Sequence, residues 1–240
     1  MIKLSVNINK IATLRNARGG SIPDVVQAAI NIQQFGADGI TVHPRPDERH
    51  IRYADVYELK PVVFTEFNIE GYPDERFLKL VEEVVPTQVT LVPDAPDVLT
   101  SNAGWDTVKH RHFLTDVVAR LKQRGMRVSL FMETDLRQID VAKETGADRI
   151  ELYTESYAAH FAADKEKAIE PFVAAANHAV DIGIGLNPGH DLSLQNLAYF
   201  SSNIKNLLEV SIGHALVADA LYFGMANVVG MYKRELGLRV

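Results

Sequence analysis

Four side chains that could transfer protons follow short apolar segments of this sequence. They are His43, Glu70, His190 and His214. Histidine titrates near neutral pH, and burial in an apolar pocket raises the pKa of a carboxylate toward the range of a general base. An unpaired buried polar group costs about 1–3 kcal/mol, so packing alone does not explain all of them. The pattern predicts acid–base catalysis, although a single such histidine is more often structural and Glu70 could instead pair with Arg45 or Lys10.

Donors that suit anionic oxygens accompany these residues. The loop that follows His43 is stiffened by two prolines, and it carries Arg45, Arg49 and His50. Gly213 lets the backbone approach closely at the start of the last predicted helix, where free N–H groups form an anion site. Arg18 is a further candidate donor. These features predict a phosphorylated or otherwise anionic small-molecule substrate.

The composition excludes several classes of protein. With 47% hydrophobic and 23% charged residues, the chain is typical of a globular protein rather than of a disordered or fibrous one. The absence of cysteine excludes a disulfide scaffold, a catalytic thiol and a cysteine zinc site. The sequence has neither a dinucleotide fingerprint nor a Walker loop nor a nucleophile elbow. His110 and His112 would point about 200° apart on a helix, so no metal pair is expected there.

Charge and hydropathy also bear on location and partners. The first residues contain no apolar signal segment, and the longest apolar stretches are far shorter than the ~18–20 residues of a membrane span. We therefore expect a cytoplasmic protein with no membrane partner. The net charge of −6 argues against nucleic-acid binding. Residues 1–52 nevertheless carry a net charge of +3, which indicates either a local anion site or ordinary surface scatter.

Short β-branched segments alternate with longer helical ones. Strands are predicted at residues 4–8, 39–43, 62–67, 88–92, 127–132, 149–153, 182–186 and 208–212. Helices are predicted at residues 23–35, 53–59, 74–84, 110–124, 136–145, 165–181, 194–201 and 215–235, with an extra helix within 157–167. Parallel strands require helical crossovers, so eight such units in 240 residues predict an α/β fold: one (β/α)8 TIM barrel with extra helices, spanning residues 1–240. Ligands bind such barrels on the loops after the strands, and four of those loops are long: 9–22, 44–52, 93–109 and 154–164.

The segment 6–19, with the sequence VNINKIATLRNARG, resembles the opening signature of the pyridoxine 5′-phosphate synthases. The resemblance continues in order through 36–43, 43–50, 91–93, 128–131, 187–190 and 212–214. It implies a (β/α)8 barrel with additional helices that assembles into a homo-octamer and uses neither a metal nor an organic cofactor. The implied reaction condenses 1-deoxy-D-xylulose 5-phosphate with 3-amino-2-oxopropyl phosphate to pyridoxine 5′-phosphate, inorganic phosphate and water.

The resemblance also implies roles for individual residues. His43 and Glu70 match the general bases, and His190 matches the general acid. The aminoketone-phosphate site matches Asn7, Arg18, the Asp191 backbone, Gly213 and His214. The pentulose-phosphate site matches Asn9, Lys10, Arg45, His50 and Thr100. The chain departs from the family at Asn9-Lys10, where an Asp-His pair is common. Asn9 can still hydrogen-bond a hydroxyl and Lys10 keeps a donor, so we expect binding to be retained through altered contacts.

Two other functions are compatible with the residues. The first is another phosphate-binding barrel enzyme, such as a sugar-phosphate epimerase or an indole-glycerol-phosphate-type synthase, which would share the barrel and its last phosphate site. The second is a barrel that binds a phosphorylated metabolite without catalysis. The combination of His43, Glu70 and His190 favours the synthase.

Overall fold

Eight short strands form a closed barrel in the computed structural model, which describes residues 1–93 and 103–238. The strands are β1 (Lys3–Asn7), β2 (Gly39–Val42), β3 (Glu66–Gly71), β4 (Gln88–Leu91), β5 (Arg127–Met132), β6 (Arg149–Tyr153), β7 (Gly185–Gly189) and β8 (Glu209–Ile212). They pair in parallel in chain order, and β8 pairs with β1. The predicted fold class, an α/β barrel with extra helices, is confirmed.

Helices connect the strands and cover the outside of the barrel. They are α1 (Asn9–Asn16), α2 (Val25–Gln34), α3 (Tyr53–Leu59), α4 (Glu75–Val84), α5 (Thr107–Gln123), α6 (Leu136–Glu144), α7 (Glu155–Phe161), α8 (Lys165–Asp181), α9 (Leu197–Asn203), α10 (His214–Phe223) and α11 (Met225–Glu235). Of these, α2, α4, α5, α6 and α8 begin after an aspartate whose carboxylate accepts a backbone N–H of the first turn. Each such cap contributes about 1 kcal/mol. None of the helices in the described ranges is long and apolar enough to cross a membrane.

The main core lies between the barrel and the helices. Leu4 and Val6 on β1 are fully buried, and so are Ile40 and Val42 on β2. These residues alternate with residues that face the lumen, because successive side chains of a strand point to opposite faces of the sheet. Each large apolar side chain buried in this way stabilises the fold by roughly 1.5–3 kcal/mol.

The lumen holds polar side chains where barrels of this kind usually hold branched apolar ones. Ser5 and Thr41 share a hydrogen bond of 2.7 Å. The Asn68 amide donates to the Thr41 hydroxyl at 3.4 Å, and the Thr90 hydroxyl donates to Asn68 Oδ1 at 3.0 Å. All four side chains are buried. Because unpaired polar groups would destabilise the interior, these bonds between β1, β2, β3 and β4 are what makes a polar lumen possible.

Two strands lie a few residues later than predicted. The segment 62–67 was predicted as a strand, but β3 is Glu66–Gly71, and 182–186 was predicted where β7 is Gly185–Gly189. The lumen face of β3 carries Asn68 and Glu70, and that of β7 carries Asn187. The apolar residues Val62, Val63, Ile182 and Ile184, which precede the two strands, pack against the core outside the barrel. The shift places Glu66 at the base of the barrel, where it pairs with Lys3 and Arg127.

Three predictions about where helices lie also need correction. The segment 9–22 was predicted as a loop, but it contains α1, which buries Ile11, Ala12 and Arg15. The single helix predicted at 215–235 is divided into α10 and α11 at Gly224, whose φ of 80° no helix accommodates. The extra helix predicted within 157–167 is the earlier segment α7, and α8 follows it after a short turn. The remaining helices begin and end within three residues of their predicted bounds.

A buried ion pair joins α1 to α3. The Arg15 Nη1 and Nη2 atoms donate to the two oxygens of Asp55 at 2.6 and 2.8 Å, and both side chains are buried. Asp55 Oδ2 also accepts the backbone N–H of Arg52 at 2.7 Å, which caps α3. Loss of either partner would leave an uncompensated charge in the interior.

We expect Asp55→Ala to lower the free energy of unfolding by about 3–5 kcal/mol, because it leaves the Arg15 guanidinium buried and unpaired. Urea denaturation measures this change. Lys79→Ala is the matched control: it removes the exposed pair of Lys79 with Glu83 on α4, and we expect a change of less than about 0.5 kcal/mol. A loss below about 1 kcal/mol for Asp55→Ala would contradict the anchoring role of the pair.

Candidate active site

A cavity of about 390 Å³ opens at the carboxyl ends of the strands, which is the end that binds ligands in (β/α)8 barrels. The predicted site residues that line it are Asn7, Asn9, Lys10, His43, Arg45, His50, Glu70, His190, Asp191, Gly213 and His214. Arg49, named above as a donor of the loop after His43, lines it too. The lining also includes residues that the sequence analysis did not predict: Thr13, Glu151, Leu192, Ser211 and Ala215. The closed barrel therefore brings together residues that are up to two hundred positions apart in the sequence.

Of the other two predicted residues, one lies away from this lining and one lies outside the described residues. Arg18 lies exposed in the turn after α1 and does not line the cavity. Thr100 lies outside the described residues. Their assignment to the two substrate sites stays a prediction.

His43 and Glu70 lie side by side on one wall of the cavity. His43 directly follows β2 and Glu70 lies on the neighbouring β3, and the distance between Nδ1 and Oε2 is 3.8 Å. The Asn7 amide donates to the same Glu70 oxygen at 3.4 Å from β1. Both members of the pair are less than a tenth exposed. The arrangement offers two basic groups to one reacting centre.

The surroundings of His43 keep its imidazole neutral. Burial lowers its pKa well below the ordinary value, and electrostatic interactions with Arg45, His50, His190 and Arg49 lower it further. A neutral imidazole can accept a proton at physiological pH. The pKa of His50 is lowered to about 4 by burial, with Arg45 and Lys10 as the next causes. The site therefore keeps His43 and His50 neutral close to the side chains of Lys10 and Arg45.

Asn9 holds the end of β2 in place. Its side-chain Oδ1 accepts the backbone N–H of His43 at 2.9 Å, and its own backbone N–H donates to Asn7 Oδ1 at 3.0 Å. The oxygen that was predicted to bind a substrate hydroxyl is thus engaged by the backbone of His43. This contact needs only an acceptor, so an asparagine serves it as well as the aspartate common in the family.

Helix α10 begins on the cavity wall. His214 is its first residue and Gly213 precedes it. A Cβ on Gly213 would lie only 3.1 Å from Asn7 Cβ, so a larger residue would crowd Asn7 at this position. The first N–H groups of a helix have no partner within the helix, and in α10 this end lies at the cavity lining. Anion binding at this position stays a prediction. Arg45, which is buried, supplies a fixed positive charge elsewhere in the lining.

Glu151 is the acidic lining residue that sequence reasoning missed. It lies on β6, is buried, and contacts the Thr90 hydroxyl at 3.5 Å. Burial raises its pKa to about 8, and the carboxyl group of Glu209 adds to the effect. A Cβ on Gly189 would collide with the Glu151 carboxyl group, so a larger residue there would displace that group. The signal was present in the strand pattern, because Glu151 alternates with the outward-facing Ile150 and Leu152.

The fold and this lining define the class of the protein: a (β/α)8 barrel whose strand ends carry acid–base groups beside cations. The family model described as Pyridoxal phosphate biosynthesis protein PdxJ matches residues 4–237. The pyridoxine 5′-phosphate synthase of Porphyromonas gingivalis is 58% identical over 99% of this chain and 100% of that protein. The one from Bacteroides fragilis (strain YCH46) is 59% identical over 98% of this chain and 100% of that protein. The chain belongs to this family, as the sequence resemblance predicted.

Solved structures of other barrels share the fold. Phosphoribosyl anthranilate isomerase from Thermotoga maritima has a TM-score of 0.62 at 14% identity, covering 99% of this chain and 100% of that chain. Tryptophan synthase from M. tuberculosis has a TM-score of 0.64 at 13% identity, covering 99% of this chain and 93% of that chain. At such identities the likeness concerns the fold alone. Over the part of the chain that the structure describes, no three histidine or acidic side chains are grouped to hold a metal ion.

The raised pKa of Glu151 makes stability depend on pH. In the unfolded chain the Glu151 carboxyl group has a pKa near 4.5, whereas in the folded protein it stays protonated to about pH 8. The folded state thus binds the extra proton in this interval, and stability falls as the pH rises through it. We expect Glu151→Gln to flatten that slope by up to about 1.4 kcal/mol per pH unit, measured by urea denaturation between about pH 5 and 8.

Glu170→Gln is the control for this prediction, because Glu170 lies exposed on α8. It is expected to keep the wild-type slope. Equal slopes in the wild type and in Glu151→Gln would contradict a protonated Glu151 in the folded protein.

Proposed function

We propose that this chain condenses 1-deoxy-D-xylulose 5-phosphate with 3-amino-2-oxopropyl phosphate to pyridoxine 5′-phosphate, inorganic phosphate and water. The observation that carries the proposal is the buried pair of His43 and Glu70, 3.8 Å apart on the wall of a cavity that also contains His190. Relatives of 56–59% identity that bear the name pyridoxine 5′-phosphate synthase support the same reaction.

The proposed reaction moves protons in each of its steps. The amine of one substrate attacks the ketone of the other with loss of one water, phosphate leaves from the aminoketone, and a second water leaves as the ring closes and becomes aromatic. His43 is neutral at physiological pH and accepts a proton as a general base. Glu70 is the second general base, and Asn7 orients its carboxylate. His190, on the opposite side of the lining, is the general acid that protonates a departing oxygen.

Two groups of donors suit the two phosphates. The start of α10, with Gly213 and His214, and the backbone of Asp191 suit the phosphate of the aminoketone. Lys10, Arg45 and His50 suit the phosphate of the pentulose, for which a guanidinium offers paired donors. Arg18 and Thr100 are proposed as further donors to these sites.

Glu151 adds a carboxylic acid to the proposed mechanism. Because its pKa is raised to about 8, it is protonated at neutral pH and can donate a hydrogen bond into the cavity. A neutral donor of this kind stabilises an oxygen that gains negative charge without attracting a cation away from the phosphates.

Phosphorylated metabolites of this size are retained inside cells, which supports a cytoplasmic location for the reaction.

Self-association is the second part of the proposal: we propose a homo-octamer that uses the exposed end of α10. Leu221, Tyr222 and Phe223 are 72%, 85% and 52% exposed. They adjoin an apolar groove of about 260 Å³ between α1, α2 and α10, whose lining includes Leu14 and Phe35. A contiguous apolar patch of this kind typically marks a protein interface.

We expect Glu70→Gln to lower kcat by about 10²–10⁴-fold, because the amide keeps the size of the side chain but cannot accept the proton. The measurement is steady-state formation of pyridoxine 5′-phosphate from the two phosphorylated substrates. Glu170→Gln, on the exposed face of α8, is the matched control and should retain the wild-type rate.

A wild-type rate for Glu70→Gln would refute its role as a general base. If the wild-type protein binds pyridoxine 5′-phosphate but forms none from the two substrates, the chain is a non-catalytic metabolite-binding barrel. Turnover of a different sugar phosphate instead would identify another barrel enzyme.

For the assembly, the wild type should sediment at eight times the chain mass of 26.7 kDa. We expect the double variant Leu221→Asp/Tyr222→Asp to sediment as a smaller species, because a charge in the patch opposes its burial between subunits. Val180→Asp, at an exposed position of α8, is the control and should leave the mass unchanged. A monomeric wild type, or an octameric double variant, would contradict the proposed interface.

A further inference from the structure

The turn that carries His190 has a backbone conformation that residues with side chains rarely adopt. His190 and Asp191 follow β7 with φ angles of +73° and +27°. Neither is a glycine, so the surroundings must hold this conformation. The turn brings His190 into the lining of the cavity. What holds the turn therefore also decides where the imidazole lies.

Thr154 contacts both peptide groups that flank His190. It follows β6, next to the end of β7, and it is completely buried. Its hydroxyl lies 2.8 Å from the carbonyl oxygen of Gly189 and 3.0 Å from that of His190. Its backbone N–H donates to the Gly189 oxygen as well, at 3.3 Å. Because the two carbonyls belong to the peptide planes before and after the His190 Cα, the hydroxyl restrains both φ and ψ of that residue.

Asn196 supports the far end of the same turn. Its Nδ2 donates to the carbonyl oxygen of Asp191 at 3.2 Å, while its Oδ1 accepts the backbone N–H of Ser193 at 2.8 Å. The hydroxyl of the buried Tyr157 donates to the Asn196 carbonyl at 2.8 Å. The peptide plane after Asp191 is thus held from the protein interior.

Two aromatic rings border the imidazole itself. The ring of Tyr153 lies 5.5 Å from that of His190 at an angle of 80°, and the ring of Phe131 lies 5.9 Å away at 61°. Both arrangements are edge-to-face contacts of the favourable kind. Since Tyr153 immediately precedes Thr154, one short segment at the end of β6 contacts both the ring and the backbone of His190.

We propose that Thr154 is a positioning residue for His190: its buried hydroxyl holds the left-handed turn that directs the imidazole into the cavity. This inference rests on the proposed function, in which His190 is the general acid. Thr154 does not line the cavity and acts through the histidine.

Thr154→Val tests the inference, because valine has the same shape but lacks the hydroxyl. We expect it to lower kcat by about 10- to 100-fold, with KM for the pentulose phosphate unchanged, because a displaced catalytic group impairs the reaction more than binding. Thr154→Ser keeps the hydroxyl and should restore most of the rate. A wild-type kcat for Thr154→Val, or a serine variant as slow as the valine variant, would overturn the proposal.

A double-mutant cycle separates action through His190 from a general effect on the fold. Thr154→Val combined with His190→Gln should be no slower than His190→Gln alone, because the hydroxyl then has no imidazole to position. Losses that multiply in the double variant would overturn the proposal. If Thr154→Val does not fold, as judged by circular dichroism, Thr154→Ala removes the same hydroxyl with a smaller side chain, and it should show the same loss of kcat.

Crystal structures of Thr154→Val and Thr154→Ser give a test that does not depend on catalysis. In the valine variant His190 should leave the left-handed region and its ring should move away from Tyr153, whereas the serine variant should keep both. An unchanged His190 in the valine variant would refute the positioning role. If instead His190→Gln alone keeps the wild-type rate, the general-acid part of the proposed function fails, while these structures still decide the role of Thr154.

Discussion

The hydrogen-bonded polar layer inside the barrel is the constraint on which the geometry of the site depends. Thr41 and Asn68 are register partners on β2 and β3, and their buried side chains are joined at 3.4 Å. Because a strand repeats every two residues, His43 and Glu70 follow on the same face of the same two strands. A slip by one residue would turn the whole polar set into the apolar core. The cost of unpaired polar groups therefore sets the register, and the register sets the 3.8 Å separation of the two bases.

The same burial determines the charges of the site. Desolvation lowers the pKa of His43 and raises that of Glu151, so both groups are neutral at physiological pH. Lys10 and Arg45 line the same cavity and bring an ammonium and a guanidinium group to it. The cavity thus combines neutral proton donors and acceptors with fixed positive charge. This combination suits acid–base chemistry on phosphorylated substrates, because the cations bind the phosphates while the neutral groups exchange protons.

The groups proposed for catalysis are positioned by two different means. His43 and Glu70 stand at strand ends, where the sheet itself orients them. His190 stands on a turn, which no ladder of hydrogen bonds restrains, and its unusual backbone angles depend on side-chain contacts from Thr154 and Asn196. A site on rigid strands is precise by construction, whereas a loop residue needs supporting hydrogen bonds around it. This need explains why Thr154, which is buried and does not line the cavity, contacts the backbone of His190.

The sequence by itself was sufficient to predict the eight alternating units, the closed barrel, the family and most residues of the cavity lining, because these depend on local periodicity and on motifs such as the segment 6–19. It placed β3 too early, because an apolar segment does not reveal a strand whose lumen face is polar. It missed α1, because no local pattern reveals a helix that is anchored by a buried ion pair. Only the tertiary structure decided that Glu151 faces the cavity and that Arg18 does not line it. The reason is that barrel closure, which no local pattern encodes, determines which distant polar side chains become neighbours and which lose contact with water.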